Sequence, residues 1–150
     1  MNIDVVPDIT MRGQDDPHRR PAEPRPPTVG QLAASLDDLA GRPADWWPLI
    51  RFDPARPSRT RLDREPKIAE TADLWLTTWP PGYRAGVPDD HDPEVSTLVA
   101  GELLEVTIGP DGVTERPLRA GRVQVRGTTP RRQLHNPGST YAITLHARPH

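Results

Sequence analysis

The chain has no cysteine among its 150 residues. Disulfides, zinc-thiolate sites and cysteine nucleophiles are thereby excluded, and thiol usage says nothing about redox compartment. No excess of one charge is present either. Nineteen basic against 21 acidic residues leave a net charge of −2, which gives no electrostatic footprint for nucleic acid and no attraction to an anionic membrane. No apolar run approaches the ~18 residues of a membrane span. The start, MNIDVVPDITMRGQDDPHRRP, lacks the basic-then-apolar design of a secretory signal. A cytoplasmic location is expected, with neither a nucleic-acid nor a membrane partner. No internal repeat is visible. Hydrophobic residues make up only 34% against 20 prolines, so part of the chain is expected to lie outside the core.

The prolines show which part. Residues 1–27 hold six prolines, mixed charges and no sustained period, and are predicted to be a disordered tail. Residues 28–150 are predicted to form one domain, long enough to bury a single core. At Thr28 the pattern changes. TVGQLAASLDDLAG places Val29, Leu32, Leu36 and Leu39 on one helical face, with Thr28 and Gln31 as a capping box and Gly41 as the stop. ADWWPLIRF follows, with a short helical turn expected to end before Pro48. From Ala72 the period becomes two: ADLWLTTW, STLVAGELLEVTI, AGRVQVRG and STYAITLHA read as strands, and GPDGV at 109–113 as a turn. Short strands after a helix argue for a mainly β domain, a small antiparallel sandwich or barrel with a helical lead-in.

The order WWPLIRFDP, RTRL, LWLTTWPPGYRAG, GELLEV, LHNPGSTYAITLHA, over roughly residues 28 to 148, resembles the cysteine dioxygenase type of thiol dioxygenase in its bacterial form. That resemblance implies a small jelly-roll-like β-barrel, a cupin, in which three histidines hold ferrous iron and a thiol is oxidised to a sulfinic acid. Position by position, Arg61 falls where the family clamps a substrate carboxylate. The His-x-His ligands fall at or near Pro88, Asp89 and Asp90, where VPDDHD offers only His91. The third ligand falls on Arg132, whose permanently charged guanidinium has no lone pair for a metal. The family's Ser-x-His-x-Tyr becomes Thr144, His146 and Arg148.

Two functional readings follow from these replacements. In the first, the iron site is eroded and no cofactor is expected. Arg61, Arg132, Arg148 and Thr144 line a positive pocket for a small carboxylate-bearing anion, unless acids such as Glu94 or Glu102 pair with the arginines. His146 is then either a base tuned near neutrality or a hydrogen-bonded core residue. In the second, Asp90, His91 and His146 form a rearranged site for Fe(II) in a thiol dioxygenase. His135, three residues after Arg132, is expected on the opposite face of its strand. Trp46, Trp47, Trp75 and Trp79 are expected to be packing anchors without chemistry. Between monomer and homodimer the sequence does not decide.

Overall fold

The structure is a computed structural model that describes residues 25–63, 70–87, 93–127 and 132–150. The predicted tail, apart from residues 25–27, lies outside the described residues, as does the VPDDHD cluster from Pro88 to Asp92. No helix among the described residues is long and apolar enough to cross a membrane.

Helix α1 spans Val29–Ala40. Both halves of the expected capping box form: the Thr28 hydroxyl accepts from the Gln31 amide, and the Gln31 side chain accepts from the Thr28 amide. A short helix α2, Pro43–Trp46, runs directly into a 3₁₀ turn, Trp47–Leu49. The helical segment therefore passes through Pro48 rather than ending before it. Proline is tolerated there because it sits in the first turn of the 3₁₀ segment, where its missing N–H has no helical acceptor to lose.

Nine strands follow among the described residues: β1 (Ser58–Arg61), β2 (Ala72–Trp79), β3 (Arg84–Val87), β4 (Glu94–Ala100), β5 (Leu104–Gly109), β6 (Gly112–Pro117), β7 (Val123–Arg126), β8 (Arg132–His135) and β9 (Ala142–Pro149). They build two antiparallel sheets, one in the order β1-β2-β9-β4-β7 and the other β3-β8-β5-β6. GPDGV makes the expected two-residue hairpin turn between β5 and β6. β4 and β5, which read in sequence as one strand broken at Gly101, belong to different sheets. Gly101 takes φ 76°, and a Cβ there would lie 2.5 Å from the Tyr141 carbonyl oxygen. Only glycine fits this corner, and the corner is what carries the chain from one sheet to the other.

Alternation in the five-stranded sheet serves two buried faces. Leu74, Leu76, Val95, Leu145 and Ala147 point outward and pack against Leu32, Leu36 and Leu39 of α1, with Trp46 closing the cluster. The main hydrophobic core therefore lies between helix and sheet. Between the two sheets a smaller cluster forms from Leu98, Leu103, Leu118, Leu134 and Ala142, with Trp79 against it. Most other inward positions of the first sheet are polar, among them Thr77, Glu94, Ser96, Arg126, Thr144, His146 and Arg148, with Trp75 between them opposite His146.

Candidate functional site

Register places these inward side chains in rows across the sheet. Asp73 stands opposite Arg148, Arg148 follows Glu94 on the shared face, and Glu94 stands opposite Arg126. Acid and base thus alternate over four strands, the arrangement in which cross-strand pairs attract. Arg148 Nη2 donates to Glu94 Oε2 at 3.1 Å, and Glu94 Oε1 lies 2.7 Å from His146 Nδ1.

Burial alone would push the Glu94 carboxyl pKa up, but the His146 hydrogen bond, the His146 charge once acid protonates the ring, the Arg126 charge and the Arg148 hydrogen bond outweigh it. The group is brought down from 4.5 to about 2. An ionised carboxylate only accepts, so His146 Nδ1 carries the proton. Its Nε2 then accepts the Thr144 hydroxyl proton at 2.7 Å, and Thr144 Oγ1 accepts from Trp79 Nε1 at 2.9 Å. The tautomer of His146 and the rotor of Thr144 are both fixed by this chain. His146 is 5% exposed. Burial lowers its pKa below 6.5 against the opposing pull of Glu94, with Arg126 and Arg59 lowering it further, so the imidazole is neutral at pH 7. Trp75 stacks on it, ring planes 1° apart and centroids 5.1 Å apart, and the Arg59 guanidinium covers the Trp75 ring at 3.9 Å.

A cavity of about 230 Å³ opens beside this network, lined by Arg59, Trp75, Thr77, Trp79, Glu94, Arg126, Leu134, His146 and Arg148, with Pro57 at its rim. Arg126 is 7% exposed. Its Nε has no hydrogen-bond partner, and among the described residues its guanidinium forms no ion pair. Burial chiefly, and then the charge of Arg132, lower its pKa to about 10 although Glu94 and Glu105 pull the other way. It remains charged at pH 7, so the wall of the cavity holds a buried cation whose Nε–H has no acceptor.

The three arginines named from the sequence do not converge on one cavity. Arg148 lines it, paired with Glu94. Arg132 lines a neighbouring groove and faces Glu105 at 3.5 Å. Arg61 lines neither. Its side chain is 63% exposed and is drawn by Asp63 at 3.0 Å and Asp73 at 3.4 Å toward the open end of β1. Arg59, two residues earlier on the same strand face, stands at the cavity instead. Thr144 is buried behind His146 as its hydrogen-bond donor and is not among the lining residues. Trp75 and Trp79, expected only to pack, form cavity wall and hydrogen-bond relay. Trp46 is core, donating Nε1–H to the Leu39 carbonyl, while Trp47 is exposed.

The described residues do not fit a ferrous centre. Both nitrogens of His146 are engaged, one as donor to Glu94 and one as acceptor from Thr144. Arg132 stands where a third ligand was expected, and His135 lies on the other face of β8 beside Arg84 at 3.4 Å. Among the described residues no three His, Asp or Glu side chains gather as ligands. Asp90 and His91 lie outside the described residues.

No family model and no curated protein matches the chain in sequence. Solved structures match it in fold. The chain is similar to the cupin domain of Schizosaccharomyces pombe Cnp3, with 12% identity over 69% of this chain and 70% of that one, TM-score 0.53. It is also similar to the TT1209 protein from Thermus thermophilus, with 17% identity over 70% of this chain and 93% of that one, TM-score 0.54. A cupin domain from Bordetella pertussis Tohama I shares 18% identity over 67% of this chain and 99% of that one, TM-score 0.49. The fold is that of a cupin. The expected kinship to cysteine dioxygenases narrows to this shared fold.

Proposed function

We propose that this cupin binds a small carboxylate-bearing anion in the cavity between its sheets and does not work as an iron-dependent thiol dioxygenase. The observation that carries the reading is Arg126, a guanidinium 7% exposed, without an ion pair among the described residues, at the wall of a cavity of about 230 Å³. A buried charge left unpaired is costly, and a bound carboxylate would offset that cost with charge-assisted hydrogen bonds. Arg59 and Arg148 add positive charge while Glu94 alone opposes it, so the cavity's field favours an anion. Trp75, Trp79 and Leu134 supply an apolar floor suited to a short carbon chain. The His146 network orders this wall. It leaves the imidazole no lone pair for a metal and no free proton for a substrate, which favours binding over catalysis.

The test is thermal unfolding and calorimetric titration of the full chain with acetate, malonate and succinate at constant ionic strength, beside elemental analysis after anaerobic loading with ferrous iron. Stabilisation by at least one carboxylate, lost in Arg126→Met, is expected, with iron at background. No response to any of the three, or near-stoichiometric iron, would overturn the proposal.

A further inference from the structure

A second compartment lies on the far side of Arg126. Where residues 118–122 cross from β6 to β7, a groove of about 580 Å³ is lined by Arg116, Arg119, Arg122, Arg126 and Arg132, with Glu105 facing them. Glu105 takes up part of this charge, reaching Arg132 at 3.5 Å and Arg116 at 3.6 Å. That leaves five guanidiniums against one carboxylate, on a protein whose whole-chain charge is −2. Arg126 makes the floor of the groove as well as the cavity wall, and among the described residues it is the buried member of the set without an ion pair. The Nε of Arg132 is also buried without a partner.

The rim is held in place. Leu118 N donates to Leu103 O at 2.9 Å, Gly121 N to Leu98 O at 3.1 Å and Arg122 N to Arg119 O at 3.3 Å. Arg119 and Arg122 therefore stand on a turn fastened to both sheets rather than on a loose loop.

We infer that this groove is a second ligand site, for a small molecule bearing two or more linked phosphates. A single carboxylate would leave most of this charge unanswered, whereas linked phosphates offer several oxygens to planar guanidinium forks. The groove also has the volume of an ordinary small-molecule site, which the cavity does not reach. A nucleic acid backbone fits less well, because outside these groove residues the chain holds more acidic than basic side chains.

The experiment is calorimetric titration of the full chain with inorganic tripolyphosphate, beside Arg119→Gln/Arg122→Gln and Arg59→Gln variants. The first pair of positions is exposed and touches the groove alone; the second touches the cavity alone. Tripolyphosphate should bind the parent and the Arg59 variant alike and bind the double variant about tenfold more weakly or worse, since charged hydrogen bonds are lost. Malonate binding should be unchanged in the double variant, which separates failure here from failure of the cavity reading. Equal tripolyphosphate affinity in the double variant, dependence on Arg59, or tighter binding of a short single-stranded oligonucleotide would each overturn the inference.

Discussion

Replacing Glu94 by glutamine removes a charge and keeps an acceptor for His146 Nδ1–H, so it isolates the electrostatic role of the carboxylate. The Glu94 carboxyl falls from 4.5 to about 2 in the folded chain, and its side chain is 17% exposed, so solvent screens it little. A group whose pKa is depressed on folding stabilises the fold above its unfolded pKa, and that stability is lost as pH falls toward the folded one. At about 1.4 kcal/mol for each tenfold change, Glu94 contributes about 3 kcal/mol at pH 7 and about 1.4 kcal/mol at pH 3. This agrees with the ~3–5 kcal/mol lost when one partner of a buried pair is removed.

Urea unfolding followed by tryptophan fluorescence measures the difference directly, since Trp75 stacks on His146. Glu94→Gln should be less stable than the parent by about 3 kcal/mol at pH 7, and the gap should change with pH below that. His146 adds its own acid loss below 6.5, because its pKa is also lowered on folding; Glu94 opposes that lowering, so the loss is larger in Glu94→Gln and widens the gap before Glu94 itself protonates and narrows it. Two stability curves running parallel from pH 7 to pH 3 would refute the reasoning.

Thr144→Val should cost about 1–3 kcal/mol by leaving Trp79 Nε1–H without its acceptor, visible as a shifted urea midpoint at constant slope. Arg126→Met should move the acid-unfolding limb to higher pH, since the Arg126 charge is one of those holding the Glu94 carboxyl low; an unchanged limb would contradict it. Gly101→Ala should cost more than about 2 kcal/mol from the positive φ and the close approach to Tyr141, read by thermal unfolding.

The helix was fully legible in the sequence, because its cap, apolar face and stop are all local. So were β2, β4, β5, β7 and β9, whose period of two is carried by branched and aromatic residues. β1, β3 and β8 are four residues each and lack the alternating branched residues that mark the equally short β7, and β6 is exposed along its whole length with no face to mark. The site was harder for a different reason. Alternation usually sets a polar face toward water, and here the polar face of β2, β4 and β9 turns into the barrel while the apolar face meets α1. Arg126 illustrates it. In VQVR the valines read as the buried side, yet Val125 is 58% exposed and Arg126 only 7%. Arg59 and Arg61 share one strand face, and it is Asp63 and Asp73 that draw Arg61 away from the cavity, which no local pattern contains.

The unequal cores have a dynamic consequence. Twelve buried apolar residues hold α1 to the five-stranded sheet, and five hold the four-stranded sheet over the interior. Cooperative units of lesser contact open at lower free energy than the whole. The four-stranded sheet is therefore expected to exchange its amide hydrogens sooner than the half held by α1. Packing strength in this fold thus sits on the outside of the five-stranded sheet, and the space between the sheets is left to charge.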